Sequence, residues 1–246
     1  MPRERIQLPL PGTDCYLLHV KQPETAASGH SLAEIYPVLG LRIRAGEHLE
    51  LTGMDDATLV ALAEVAVSGI HDPSWSPFYQ DWTAFEPDIL RRNFLQHHWG
   101  VRAEFGPSKW TLDLAVWWDG ELVGAQGIST EHYLVTRTGE TGSWLCRAHQ
   151  GKGIGTLMRR AFCAFMFDHL EARTVSSAAF VDNAPSLAVS RKVGYRPNGM
   201  AVKVRRGVAA DNQQLLLLPA DLDRGGLELE VTGASGLREL IGLDSE

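Results

Sequence analysis

The stretch Gln150-Gly151-Lys152-Gly153-Ile154-Gly155 constrains this chain more than any other. Three glycines in five residues let the backbone turn sharply and leave amide N–H groups facing outward. Apolar residues at Leu157, Ala161, Ala164, Phe165 and Leu170 then recur near a 3.6-residue period, which predicts a helix over 156–170. A strand is expected just before the turn, at Gly142–Cys146. A glycine turn feeding a helix N-terminus joins free N–H donors to the positive end of the helix dipole, which suits phosphate or pyrophosphate.

Spacing rejects two familiar phosphate motifs. A P-loop requires Gly-Lys followed by Ser or Thr, whereas Lys152 is followed by Gly153. A dinucleotide fingerprint requires Gly-x-Gly-x-x-Gly early in a βαβ unit, whereas here the spacing is Gly-x-Gly-x-Gly, late in the chain. The segments that follow are Asp182-Asn183-Ala184-Pro185-Ser186 and Arg191-Lys192-Val193-Gly194-Tyr195. With the Gln-x-x-Gly-x-Gly turn, their order and distance resemble the GNAT superfamily of acyl-CoA-dependent N-acyltransferases. The resemblance runs from about Leu39 to Pro219. Within the superfamily the chain is similar to the RimJ/RimL-type ribosomal-protein N-terminal acetyltransferases and their actinobacterial relatives. His71-Asp72-Pro73, Pro77-Phe78, Thr141-Gly142-Ser143-Trp144-Leu145 and Asn183-x-x-Ser186 carry that likeness.

The resemblance implies an α+β fold with a mixed, mostly antiparallel sheet, split to admit acetyl-CoA or another acyl-CoA such as succinyl-CoA. It implies direct transfer of the acyl group to an amine, either a peptide N-terminus or a small molecule. The N–H groups of Gly151, Gly153, Gly155 and Thr156 would bind the pyrophosphate, with Lys152 among the cofactor contacts and Gln150 setting the entry to the turn. Trp144, Leu145 and Cys146 would line the pantetheine arm, and the N–H of Leu145 or Cys146 would polarise the thioester carbonyl. Asn183 would bind the pantetheine amides, although a residue before Pro185 also suits a helix cap. Lys152, Arg159, Arg160, Arg191 and Lys192 would form a basic patch beside the same site, where the phosphates of CoA would sit. Glu140 is the candidate general base, since an ammonium must lose a proton before it attacks. Many family members place a tyrosine acid seven residues after the Asn; here that position is Ser190, so Ser186 is the candidate thiolate partner, with Ser190 and Tyr195 behind it. Trp75, Phe78, Trp82 and Tyr133 are candidate acceptor contacts, and the aromatic loop equally suits pinning to the sheet.

Composition limits the alternatives. The 246 residues are 44% hydrophobic and 22% charged, as in a globular protein with a sizeable core. A net charge of −7 argues against nucleic acid as the main partner and suits a cationic acceptor. No apolar run approaches the ~20 residues of a membrane span, and MPRERIQLPLPG lacks an apolar h-region, so no secretory signal is expected. Cys15, Cys146 and Cys163 lack a Cys-x-x-Cys pair, so reduced thiols and a cytoplasmic location are expected. Cys146 has no base paired to it by spacing. Metal binding is not expected, because His97 and His98 on a helix diverge by about 100°.

The expected organisation is an N-terminal extension over 1–34 with one edge strand near Tyr16–Leu18, a catalytic domain over 35–219 and a C-terminal extension over 220–246. Strands are expected at Leu39–Arg44, His48–Leu51, Trp110–Trp118, Leu122–Ser129, Thr174–Phe180, Met200–Arg205 and Gln213–Leu218. Helices are expected from Asp55, over Pro87–Glu104 and over Pro185–Lys192. The tail carries a strand-like run at Leu227–Val231 and a helical one at Leu237–Leu240, suited to capping a sheet edge or building a homodimer. A non-catalytic acyl-CoA sensor is the competing class.

Overall fold

The computed structural model describes residues 29–244; the expected strand near Tyr16–Leu18, and Cys15, lie outside them. Nine strands form one sheet: β1 (Arg42–Ala45), β2 (Leu49–Gly53), β3 (Lys109–Trp118), β4 (Glu121–Glu131), β5 (Thr138–Leu145), β6 (Thr174–Phe180), β7 (Arg196–Arg205), β8 (Val208–Leu217) and β9 (Leu229–Thr232). Their order is β7-β8-β6-β5-β4-β3-β2-β1-β9. Every pairing is antiparallel except β5 with β6. The fold is α+β with an open, mostly antiparallel sheet flanked by helices.

Local chemistry fixes most elements. Helix α1 (Leu32–Ile35) begins in a capping box between Ser31 and Glu34. In α2 (Asp56–Val67) the Asp55 side chain accepts from the Thr58 N–H at 2.7 Å. Helix α3 (Pro87–Ala103) has proline in its first turn, where no N–H is required. Asp119-Gly120 and Arg206-Gly207 turn the β3–β4 and β7–β8 hairpins with positive φ at both residues, matching the twist of the strands. A short helix α4 (Tyr133–Thr136), not expected from periodicity, links β4 to β5.

Helices divide between the two faces of the sheet. One face carries α5 (Ile154–Asp168), against which α6 (Ala184–Val193) packs. Ala161, Phe162, Cys163, Ala164, Phe165 and Met166 of α5 are fully buried there. Each large apolar side chain so buried contributes about 1.5–3 kcal/mol. Leu157 is only half-buried, and Leu170 is buried beyond the helix end. The other face carries α2 and α3, packed on Ala115, Leu122 and Ala125. Residues 220–244 complete the sheet: β9 pairs with β1, while Leu237 of α7 (Ala234–Leu240) and Ile241 join the main core.

Two boundaries matter for the site. β5 starts at Thr138 rather than near Gly142, so Glu140 lies inside the strand. It ends at Leu145, which leaves Cys146 outside. The parallel ladder with β6 covers only Thr138–Thr141 against Thr174–Ser177; beyond those rungs the two strands continue without pairing.

Candidate active site

The glycine turn is built as a donor cradle. Gly151 and Gly153 have φ of +75° and +87°, values that only glycine adopts without strain. Gln150 fixes the entry: its Nε2 donates to the Ile70 carbonyl at 2.7 Å and the Leu145 carbonyl at 2.8 Å. From Gly151 to Gly155, five successive N–H groups have no acceptor among the described residues. Thr156 differs from expectation, because its N–H donates to the Gly153 carbonyl at 3.1 Å and is not free. A Cβ at Gly151 or Gly153 would meet nothing within 4 Å, whereas one at Gly155 would touch Val189 at 3.5 Å and Leu145 at 3.8 Å. The turn is therefore open outward and closely seated against β5 and α6. This run of amides at a helix N-terminus fits the diphosphate of a CoA donor.

Strand alternation decides which amides of β5 face the gap toward β6. The Arg173 N–H donates to the Arg137 carbonyl at 2.8 Å, which places odd-numbered positions of β5 on the β6 side. On the other side, the Gly142 carbonyl accepts from Gln126 of β4 at 3.1 Å, and the Cys146 N–H donates to the Val123 carbonyl at 2.9 Å. Cys146 is thus removed as an oxyanion donor. The Leu145 N–H points into the divergence, beside the start of the cradle.

Side chains of β5 alternate as well. Thr141 and Ser143 face α5; Glu140, Gly142 and Trp144 face α2 and α3. Gly142 is exposed, and a Cβ there would meet nothing within 4 Å, so the strand forms an open floor between Glu140 and Trp144. Glu140 is exposed, and its charge, second to burial, pushes the Tyr79 hydroxyl upward in pKa. That hydroxyl donates to Asn212 at 3.1 Å. Trp144 packs on Trp82 and Phe94, with ring centroids 5.9 and 6.3 Å away.

The aromatic loop is pinned at several points. Trp75 Nε1 donates to Asp182 at 3.0 Å, and Arg205 holds the same carboxylate through two 2.7 Å bonds. Arg205 keeps Asp182 down at a pKa of about 2, with help from Trp75. Phe78 lies 5.2 Å from Trp82, and Arg206 bonds Asp81 and the Pro73 carbonyl. Tyr133 does not belong with this group. It is fully buried, its hydroxyl donates to the Leu170 carbonyl at 2.9 Å, and Trp110 packs against it. Its place in the acceptor set is withdrawn; the α4 turn carries it into the core, which strand and helix periodicity did not reveal.

On α6 the Asn183 side chain accepts from the Ser186 N–H at 3.3 Å, so it caps the helix, and its amide NH2 has no partner among the described residues. Ser186 is half-buried. Ser190 is fully buried, with an Oγ that has no partner among the described residues. Lys192 is exposed in the last turn. Tyr195 is core: its hydroxyl meets Thr141 at 3.1 Å and Cys163 at 3.4 Å.

Two expectations about isolated groups change. Cys146 does have a paired base, His149 Nδ1 at 3.1 Å, with Glu121 3.4 Å from the other ring nitrogen. Burial nevertheless raises the thiol pKa and keeps it protonated. His97 and His98 do converge, since their donors and that of Asp113 all lie within 4.8 Å of one another. The ideal 100° divergence applies to Cβ vectors, and long imidazoles bend back across it. Burial drives His98 down to about 3 and Asp113 up to about 6.

Arg159 departs from the basic patch expected around the cofactor turn, because it points inward. Arg159 is 4% exposed and donates to Gln126 (3.1 Å), Thr141 (3.4 Å), Ser177 (3.2 Å) and Ser143 (2.7 Å). Its signal was a charge placed between Met158 and Phe162 on the buried stripe of α5.

Comparison with known proteins matches residues 49–196 to the family described as Acetyltransferase (GNAT) domain. The chain belongs to this family. It is 33% identical over 92 residues to YdaF of Bacillus subtilis (strain 168), provisionally named a ribosomal N-acetyltransferase; that covers 37% of this chain and 49% of YdaF. YjcK of the same organism, provisionally named an N-acetyltransferase, is 30% identical over 106 residues, covering 42% of this chain and 58% of YjcK. The chain thus spans about half the length of the curated relatives it matches. Among solved structures, Mycobacterium smegmatis RimJ in complex with CoA-disulfide shares the fold, with a TM-score of 0.63, 20% identity, and coverage of 80% of this chain and 92% of RimJ. No helix among the described residues is long and apolar enough to cross a membrane.

Proposed function

We propose that this chain is an acyl-CoA-dependent N-acyltransferase that passes an acetyl group from acetyl-CoA to a primary amine in a ternary complex. The observation that carries this is the five-amide cradle at Gly151–Gly155 opening beside the divergence of β5 and β6. Family membership and the CoA-bound relative support the choice of donor class.

The residues divide the work as follows. The cradle binds the diphosphate, aided by Lys152 and Lys192, and Asn183 has an amide NH2 to offer the pantetheine arm. The Leu145 N–H lies where it can receive the charge that builds on the thioester oxygen, a contribution of about 3–4 kcal/mol in comparable sites. Glu140, on the opposite face of β5 from α5, takes the proton of the incoming ammonium directly or through water. The amine nitrogen then bonds to the acyl carbon and the C–S bond breaks.

The acceptor approaches over Gly142, between Glu140 and the Trp75–Phe78–Trp82 loop. An open floor suits an extended peptide better than it suits a small molecule, and YdaF, named a ribosomal N-acetyltransferase, supports a ribosomal-protein amine as acceptor. The described cysteines, Cys146 and Cys163, are unpaired and buried, in keeping with a reducing cytoplasm. The exposed edge strand β7 offers a surface for a homodimer.

The test is thermal stabilisation by CoA, acetyl-CoA and succinyl-CoA in parallel. A ligand at a hundred times its Kd adds about 2.7 kcal/mol. Selective stabilisation by acetyl-CoA supports the reading, selective stabilisation by succinyl-CoA transfers it to that donor, and no shift with any of them refutes it.

A further inference from the structure

Arg159 is a buried cation whose four hydrogen-bond acceptors are all neutral. A buried charge is ordinarily paired, because desolvation is costly without an opposite charge. Among the described residues Arg159 has no carboxylate partner. Its position is specific. Thr141 and Ser177 form the last rung of the β5–β6 ladder, and Ser143 is the next residue along the same face of β5, where the strands have separated. The guanidinium therefore sits at the base of the divergence, a fixed positive charge in a site of low dielectric.

Ser143 connects that charge to the gap. Its Oγ accepts from Arg159 Nη2 at 2.7 Å, the shortest of the four bonds. An oxygen that accepts from a cation has its own O–H made more acidic, and this hydroxyl proton has no acceptor among the described residues. Ser143 is half-buried whereas Arg159 is only 4% exposed, so the hydroxyl is the part of the pair that a ligand can touch.

We propose that the Ser143 hydroxyl, polarised by Arg159, stabilises the departing thiolate of CoA. The inference rests on the acyltransferase reading. When the C–S bond breaks, the electron pair stays on sulfur and Ser143 donates a hydrogen bond to it. The ammonium has already given its first proton to Glu140; the second, shed by nitrogen as the tetrahedral adduct collapses, goes to water, and the thiolate is reprotonated from solvent. Ser143 touches the leaving group; Arg159 is a positioning residue. The arrangement adds a donor from β5 to the one expected of Ser186 on α6, where the family's tyrosine position is Ser190.

The experiment titrates the thiol of bound CoA by thiolate absorbance in the ultraviolet, with the full chain and desulfo-CoA as baseline. Wild-type protein is expected to lower the midpoint by one pH unit or more relative to free CoA, a tenfold gain in thiolate at a given pH. Ser143→Ala should return it toward the free value, and Ser143→Thr should retain most of the shift. CoA-induced thermal stabilisation, measured alongside, should persist in each. A wild-type midpoint equal to that of free CoA, or an unchanged midpoint in Ser143→Ala, overturns the proposal while leaving the acyltransferase reading intact. No stabilisation by CoA at all removes that reading, and the proposal with it. Arg159 variants risk misfolding, so the serine variants carry the test.

Discussion

Gly124 lies in β4 opposite Leu145, and replacing it with alanine tests where the thioester is held. The new Cβ would lie 2.1 Å from the Trp144 carbonyl oxygen and 2.9 Å from the Leu145 Cα. Both are backbone atoms, so no side chain can swing aside. Real Cβ contacts do not fall below 3.0 Å. The end of β5 must therefore move by roughly 0.9 Å, and overpacking of this kind costs about 1–3 kcal/mol. In a domain of this size that lowers Tm by roughly 2–12 °C. The same displacement moves the Leu145 N–H relative to the thioester oxygen, and a misplacement near 1 Å costs about 100-fold in turnover. The diphosphate cradle is tied to the same strand end, because Gln150 donates to the Leu145 carbonyl, so KM for acyl-CoA should rise as well. Thiol release with an amine or N-terminal peptide acceptor gives kcat and KM, and calorimetry gives Tm. Gly142→Ala is the control: its Cβ enters open space, so Tm should hold while KM for the acceptor rises. A Gly124→Ala protein with lowered Tm but full kcat would refute the placement of the thioester at Leu145.

Glu140→Gln should lower kcat/KM by about 100-fold and flatten the acid limb of its pH profile; an unchanged profile removes Glu140 from the mechanism. The Asp182 pKa is depressed in the folded state, so its bond to Arg205 and Trp75 stabilises the protein above pH ~3.8 and is lost as the pH falls toward about 2. The pair is exposed and worth no more than about 1 kcal/mol. Asp182→Asn should loosen the aromatic loop at neutral pH, seen as altered Trp75 fluorescence with little change in Tm; unaltered fluorescence would show that the loop is held elsewhere. Tyr133→Phe leaves the buried Leu170 carbonyl without its donor and should cost about 1–3 kcal/mol of stability, with acceptor KM unchanged. A raised acceptor KM at full stability would restore Tyr133 to the acceptor site.

Sequence alone determined whatever depends on a few neighbouring residues. The Gly151–Gly155 turn, the Asp55 cap, the Asp119-Gly120 hairpin and the α5 stripe are set by backbone freedom, local hydrogen bonds and period, all within a helical turn or two. The order of motifs along the chain then brought the family into view. Tertiary structure decided what depends on which side a group faces and on what arrives from elsewhere in the chain. Strand register assigned the Leu145 N–H to the gap and the Cys146 N–H to Val123. The α4 turn drew Tyr133 into the core, while imidazole reach brought His97 and His98 together with Asp113. Arg159 is the clearest case. In sequence it reads as one more basic residue beside a phosphate site. Only the meeting of β4, β5 and β6 surrounds it with neutral oxygens at the base of the divergence, because residues up to 33 positions away must converge on a single guanidinium.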